Sequence, residues 1–109
     1  MADPTGYHAH IYFDEKTIEQ AEKLAAGAGS FFDLTVGRVH RKPVGPHPMW
    51  SCQLAFKPEA FGKVIPWLSM NRNGLTIFIH GDTGNFIRDH TDHAIWMGSM
   101  MELNLSDTE

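Results

Sequence analysis

The chain has 109 residues, the size of one small domain spanning residues 1–109. A hydrophobic share of 42% is enough for a globular core, and a net charge of −4 leaves no basic surface for nucleic acid. No apolar run approaches the roughly 20 residues that cross a bilayer, and the N-terminus lacks a secretory signal. The single cysteine, Cys52, cannot form an internal disulfide, so we expect a cytoplasmic protein without a membrane partner.

Strand and helix patterns alternate along the chain. Apolar alternation predicts strands at residues 7–13, 34–40, 49–56 and 75–80, with a fifth edge strand at 94–98. Apolar residues at helical spacing predict helices near 15–28 and 59–72. We expect Asp14 to cap the first helix, and Gly27 and Gly29 to end it.

The order βαββαβ predicts an α+β fold of the ferredoxin-like class. In this class one antiparallel sheet carries both helices on one face, usually with strand order 4-1-3-2. We expect strands 1 and 3 to run parallel, with strands 2 and 4 opposite to them. On that expectation five histidines at strand ends meet at one rim of the sheet, namely His8, His10, His40, His47 and His80.

Alternation along the strands also assigns a face to these side chains. Successive strand residues point to opposite sides, so His8, His10 and Tyr12 share the face away from the helices with Phe78 and His80. A face so rich in histidine and aromatic residues needs cover from a ligand or a second subunit. We therefore expect a homodimer.

The histidines suggest a metal or proton-transfer site. Neutral imidazole is the commonest side-chain metal ligand and the usual acid or base near neutral pH. The His8-Ala9-His10 segment places two imidazoles on one face, and prolines on both sides of His47 restrain its loop. Each motif alone is more often found in surface histidines or a tight turn, but together at one rim they predict a site.

Further candidates are less distinctive. Arg38 and Arg41 are solvated by default, although a guanidinium can bind a substrate carboxylate. Trp50, Phe78 and Trp96 are aromatic residues of either the core or a substrate platform. His90 and His93 lie in a polar turn, where the neighbouring Asp89 and Asp92 could orient an imidazole or supply a carboxylate ligand.

Several segments together resemble the DOPA 4,5-dioxygenase family of small ring-cleaving dioxygenases. The resemblance runs from residue 8 to about residue 98, and Gly-Pro-His-Pro followed by a strand that ends in His is its most specific part. The family often has proline after that second histidine, where this chain has Gly81. The matching segments are His10-Ile-Tyr-Phe13, Val44-Gly-Pro-His-Pro48, Trp67-Leu68, Arg72-Asn-Gly74, Leu75 to His80, Thr83-Gly84, Asp89-His90 and Trp96-Met-Gly98.

The resemblance implies extradiol cleavage of a catechol, such as 3,4-dihydroxyphenylalanine, by O2 at non-haem Fe(II). It implies that His10, His47 and His80 bind the metal, where zinc or nickel can replace iron in purified protein. His8 and His90 are then the acid/base candidates. For the small aromatic substrate, Arg38 is the expected partner of a carboxylate tail, with Trp50 and Phe78 as further substrate-binding residues.

Two other classes of function remain open at this point. One is a cofactor-independent or haem-using monooxygenase on the same dimeric scaffold, because fold alone does not fix function. The other is a non-catalytic metal-binding module. The monooxygenase would contain no stoichiometric non-haem iron, which distinguishes it from an iron dioxygenase. The metal-binding module would bind metal but consume no oxygen with any catechol.

Overall fold

The structure, a computed structural model, describes residues 3–106 and has the predicted α+β architecture. Five strands and three helices follow the chain, with a short 3-10 turn at Pro58–Ala60 before the second helix. No helix in this described part is both long and apolar enough to cross a membrane. The elements are β1 (Tyr7–Phe13), α1 (Ile18–Phe31), β2 (Thr35–His40), β3 (Trp50–Phe56), α2 (Phe61–Asn71), β4 (Ile77–Gly81), α3 (Phe86–His90) and β5 (Ile95–Met97).

The sheet has the order β2-β3-β1-β4-β5, which confirms the predicted arrangement of the first four strands and the fifth edge strand. Every observed pairing is antiparallel, so the expectation that strands 1 and 3 run parallel is wrong. The crossover through α1 makes β1 and β2 parallel, and the crossover through α2 makes β3 and β4 parallel. In the sheet, β3 lies between β1 and β2, and β1 lies between β3 and β4. The neighbours β1 and β3 must therefore run in opposite directions.

This correction divides the predicted rim of five histidines. The start of β1 lies beside the ends of β3 and β4, because Tyr7 pairs with both Phe56 and Gly81. His40 pairs with Ser51 at the opposite end of the sheet, so it does not join His8 and His80. Ligands from the sheet must therefore come from the half of β1 that begins at Tyr7 and from the strand ends beside it.

The helices α1 and α2 pack on one face of the sheet, as predicted. Asp14 accepts hydrogen bonds from the backbone N–H groups of Lys16 and Thr17, in a turn that precedes the helix start at Ile18. The helix continues past Gly27, where a Cβ would lie 3.1 Å from the Trp67 ring. Buried residues from both layers form the core, among them Ala9, Ile11, Phe13, Ala25, Ala28, Leu54, Val64, Leu68, Ile77 and Ile79.

The other face of the sheet is partly covered by the same chain. Tyr12 and Phe78 on that face are 1% and 0% exposed. The loop between β2 and β3 brings His47 onto Tyr12, and Trp96 of β5 packs against Phe78 with ring centroids 4.6 Å apart. Part of the face from which a homodimer was inferred is therefore covered within one chain, and the homodimer stays a prediction.

Candidate metal centre

Five of the seven histidines line one cavity of about 340 Å³ on the face of the sheet opposite α1 and α2. Two come from β1, one from β4, one from the loop before β3, and one from α3. The cavity is bounded further by Gln53, Asp82, Phe86 and Asp89. The histidines are His8, His10, His47, His80 and His90.

Three of these histidines form a group that can hold a metal ion. One ring nitrogen from each of His8, His10 and His80 lies within 4.8 Å of the other two. The Nε2 atoms of His10 and His80 are 3.1 Å apart. Two nitrogens that bind one ion at about 2.1 Å, with an angle of roughly 90–109° between them, lie about 3.0–3.4 Å apart. The pair therefore already has the separation of two metal ligands.

The antiparallel pairing of β1 with β4 produces this geometry. His8 and His80 are direct neighbours across the two strands, and His10 lies two residues further along the same face. The Nδ1 of His80 donates a hydrogen bond to its neighbouring carbonyl at Gly81, 3.0 Å away. That bond leaves the Nε2 of neutral His80 without a proton, which is the state in which imidazole binds a metal.

His47 lies beside this group and outside it. Its Nδ1 shares a 2.8 Å hydrogen bond with the Tyr12 hydroxyl, and its ring centroid is 4.1 Å from that of His10. The loop that carries it is held by a turn from Val44 to His47 and by a bond from the Asn104 N–H to the Pro46 carbonyl. The geometry thus groups His8 with His10 and His80 and places His47 beside them, while the roles of His47 as a ligand and of His8 as an acid/base group stay predictions.

His90 enters the cavity from α3, an element that the sequence patterns did not identify. Its Nδ1 donates to the Phe86 carbonyl at 2.7 Å, and its ring centroid lies 4.2 Å from that of His80. The neighbouring Asp89 does not orient it. Instead, that buried carboxylate accepts hydrogen bonds from the Thr83 N–H at 2.9 Å and the Thr83 hydroxyl at 2.6 Å. Asp89 therefore fixes the segment between β4 and α3, which holds His90 in place.

Burial lowers the pKa of four of these imidazoles, those of His8, His10, His47 and His80, and so favours their neutral form. Desolvation, strengthened by the mutual repulsion of neighbouring histidines, holds the pKa of His10 well below its usual value. Burial also lowers the pKa of His47 and of His80 to about 4. The pKa of His8 is lowered mainly by burial, against an opposing effect of the Asp82 charge. Neutral rings present lone pairs, so the cavity suits a cation near neutral pH without prior proton loss.

The remaining predicted site residues do not line this cavity. Trp50 pairs with Phe13 and packs against the core on the helix side, away from the cavity. Arg38 is exposed on the edge strand β2. Phe78 is fully buried beneath His10, His80 and His90, where it supports their rings without offering surface of its own. His40 and His93 also lie outside the cavity.

Comparison with known proteins identifies the family. The model of the Dopa 4,5-dioxygenase family matches residues 7–107. The chain belongs to the DOPA 4,5-dioxygenase family. It is 38% identical to an uncharacterised 21.2 kDa protein of Botryotinia fuckeliana over 92% of this chain, and 34% identical to a DOPA 4,5-dioxygenase of Amanita muscaria over 93% of it. The chain spans 61% and 48% of the length of these two family members.

A solved structure of the same fold agrees with this family assignment. The crystal structure of a candidate dioxygenase from Nostoc punctiforme superimposes with a TM-score of 0.93 at 42% sequence identity. The match covers 94% of this chain and 90% of that chain. This chain therefore shares its α+β fold with the Nostoc punctiforme protein over nearly the whole domain.

Proposed function

We propose that this chain is a non-haem iron(II) dioxygenase that opens the ring of a catechol by extradiol cleavage with O2. The observation that carries the proposal is the His8, His10 and His80 group, in which the Nε2 atoms of His10 and His80 are 3.1 Å apart in a cavity of about 340 Å³. The membership of the DOPA 4,5-dioxygenase family and the name of the Amanita muscaria relative support this choice of reaction.

The three imidazoles fit a divalent ion of intermediate softness. Nitrogen ligands suit iron, zinc and nickel, and three protein ligands leave coordination positions open. Iron(II) bound there supplies the Lewis acidity that eases loss of a phenolic proton and the redox chemistry that allows O2 to react with the aromatic ring. Zinc or nickel at the same ligands would fill the site without supplying the redox step.

The other two histidines of the cavity are the proposed proton-transfer groups. His90 has its Nδ1 proton bound to the Phe86 carbonyl, so its Nε2 is free to accept a proton from a hydroxyl of the substrate. His47 is fixed by the Tyr12 hydroxyl and lies next to His10, within reach of the same bound molecule. Because both are held by hydrogen-bond partners, they are oriented before the substrate arrives.

The shape of the cavity suits a small aromatic ring. Its volume falls at the lower end of the roughly 300–1,000 Å³ typical of ligand pockets. Phe86 lines the cavity and stacks on His90 with ring centroids 4.1 Å apart, which places an aromatic face beside the proposed acid/base group. A planar diol can therefore lie against aromatic surfaces while its two oxygens face the ligand group.

Anaerobic reconstitution with Fe(II), followed by oxygen uptake over a panel of catechols, tests the proposal. We expect one iron per chain and oxygen consumption that depends on the diol, accompanied by a ring-opened product. The matched variants are His80→Ala, which should lose both iron and activity, and the exposed His93→Ala, which should retain both.

Two results would contradict the proposal and would favour the open alternatives. Oxygen-dependent turnover without stoichiometric non-haem iron would indicate a cofactor-independent or haem monooxygenase. Tight metal binding with no oxygen uptake for any diol would indicate a non-catalytic metal-binding module.

A further inference from the structure

A second, larger cavity adjoins the metal cavity. Its volume is about 890 Å³, and it follows the sheet edge where β1 and β2 begin and β3 ends. His8 and Asp82 line both cavities. A molecule bound at the histidine group can therefore extend past these two residues into the larger space, which we call the edge cleft.

We propose that the edge cleft binds the side chain of the aromatic substrate, and that Lys57 and Lys63 hold an anionic group at its end. This inference rests on the proposed function for the position of the ring, and adds the location and chemistry of the substituent. It also replaces Arg38, which was the carboxylate partner expected from sequence and which does not line either cavity.

The strand register shows how the floor of the edge cleft is formed. His8 pairs with Ala55 across β1 and β3, and Ala55 pairs with Thr35 across β3 and β2. These three side chains stand in a row on one face, with neighbouring strands about 4.8 Å apart. Because the side chain of Ala55 is small, the surface has a depression between His8 and Thr35. A chain leaving the metal cavity beside His8 can therefore lie against Ala55 and reach the sheet edge, where Lys57 follows Phe56 at the end of β3.

The walls of the edge cleft combine apolar surface with charge. Tyr7, Phe32, Leu34 and Phe56 line it and suit the methylene groups of a side chain. Lys57 and Lys63 are exposed at its α2 side, and neither forms an ion pair within the described residues 3–106.

Acidic residues also line the edge cleft, namely Asp33, Glu59 and Asp82, so its lining alone does not determine whether the ligand is an anion or a cation. Three neutral imidazoles leave the charge of a divalent ion uncompensated, and this positive potential extends into the adjoining cleft. Together with the exposed Lys57 and Lys63, this positive potential favours an anionic over a cationic ligand. Lysine binds such a group as a mobile point charge.

Binding to the zinc-loaded protein, in which the divalent charge is present and no redox reaction occurs, tests the cleft independently of activity. Hydrocinnamate, an aryl chain ending in a carboxylate and lacking hydroxyl groups on the ring, is titrated into the full chain while backbone amide shifts are followed by NMR. We expect shifts concentrated at Gly6, Thr35 and Lys57. The double variant Lys57→Ala/Lys63→Ala should bind about 5- to 20-fold more weakly, since charge-assisted bonds are lost.

The controls separate a charge effect from a general disturbance. Lys16→Ala removes an exposed lysine that does not line the edge cleft and should change hydrocinnamate affinity less than about twofold. The neutral phenylpropanol should bind the wild type as weakly as hydrocinnamate binds the double variant. Equal affinity for hydrocinnamate and phenylpropanol, or tighter binding of phenylpropylamine, would overturn the assignment of Lys57 and Lys63.

Kinetics of a blocked variant test the same cleft in the iron-loaded protein. Thr35→Trp places a large ring at an exposed cleft position without touching the histidine group. We expect the KM for dihydrocaffeate to rise at least about 10-fold, with the KM for unsubstituted catechol and the iron content unchanged. An equal rise for both diols would contradict the cleft as a side-chain subsite.

The two experiments distinguish failure of the edge cleft from failure of the proposed reaction. Oxygen uptake with catechol but no amide shifts from hydrocinnamate would contradict the cleft alone. Localised hydrocinnamate binding with no oxygen uptake for any diol would contradict the dioxygenase proposal, while the cleft would stand as an anion-binding site.

Discussion

At the scale of single residues, the decisive feature is which histidines can share one ion. The sequence predicted His10 and His80 together, because strand alternation places both on one face. Its choice of His47 over His8 as the third ligand rested on the resemblance alone, since the position of His47 depends on a loop conformation that alternation does not encode. The structure places His8 with the ligand group and gives His47 a different partner, Tyr12.

Substitution of these two histidines should separate their roles. His8→Ala should weaken metal binding by more than the roughly 10- to 100-fold that loss of a supporting group costs, because it removes a ligand nitrogen. His47→Ala should change the affinity less than about 10-fold. Calorimetric titration with zinc measures both, with the exposed His93→Ala as the unchanged control. Loss of zinc binding in His47→Ala, with His8→Ala unaffected, would restore the assignment expected from sequence.

The Tyr12–His47 bond should contribute measurable stability. Tyr12→Phe removes the hydroxyl and leaves a buried ring nitrogen without its partner, at a cost of about 1–3 kcal/mol. Tyr7→Phe is the matched control, since no hydrogen bond of its hydroxyl is seen among the described residues, and should cost under about 0.5 kcal/mol. Urea unfolding measures both losses, provided that the free energy of unfolding depends on urea concentration with the same slope in both variants. Equal stabilities of the two variants would contradict the proposed support of His47.

At the scale of elements, periodicity predicted the long strands and helices, and it failed where local rules conflict with packing. The helix α1 continues through Gly27 because the missing side chain allows Trp67 of α2 to approach, which outweighs the cost of about 1 kcal/mol for glycine in a helix. The five-residue α3 has too few residues to show a helical period. Its role in carrying His90 therefore became visible only through the tertiary contacts with β4.

The two hydrogen bonds from Thr83 to the Asp89 carboxylate should fix the position of α3. Asp89→Ala leaves the Thr83 N–H without its buried acceptor and should lower the free energy of unfolding by about 2–3 kcal/mol. It should also reduce turnover without loss of iron, because His90 is displaced while the ligands remain.

Asp92→Ala is the matched control on the next turn of the chain. Its salt bridge with Arg88 is exposed, with side chains 60% and 63% accessible, so the loss should be under about 1 kcal/mol. Urea unfolding, iron analysis and turnover are measured on both variants. A stability loss of similar size in Asp89→Ala and Asp92→Ala would show that the buried carboxylate does not anchor α3.

At the scale of the whole molecule, the metal-free protein should lose stability in mild acid. The pKa of His47 and of His80 is about 4 in the folded state and about 6.5 in the unfolded chain. Between these values the unfolded state binds more protons, so the free energy of unfolding falls as pH decreases from about 6.5 to about 4. The loss should be on the order of 1–2 kcal/mol per buried histidine between pH 7 and pH 5.

Urea unfolding of the metal-free protein at pH 7 and at pH 5 measures this loss. The exposed His93→Ala variant should show the same pH dependence as the wild type, because its side chain is not part of the buried group. Unchanged stability across this range would mean that the cavity histidines are not held neutral by the fold.

The sequence predicted the architecture of the whole domain better than the arrangement of its histidine site. Strand order and helix placement follow from periodicity and from the short connections between elements. The rim of five histidines did not form, because the strand directions assigned to β1 and β3 were wrong and His40 lies at the far end of the sheet. His47 nevertheless reaches the cavity, since its loop folds back across the sheet face onto Tyr12.

The position of a bound metal ion tests the central claim most directly. A crystal grown with iron(II) under anaerobic conditions, with anomalous data collected at the iron edge, locates the ion without reference to activity. We expect one ion, with a nitrogen each from His8, His10 and His80 at about 2.0–2.2 Å and with His47 bound to Tyr12 instead. An ion bound by His47 in place of His8, or no ion at these histidines, would contradict this expectation.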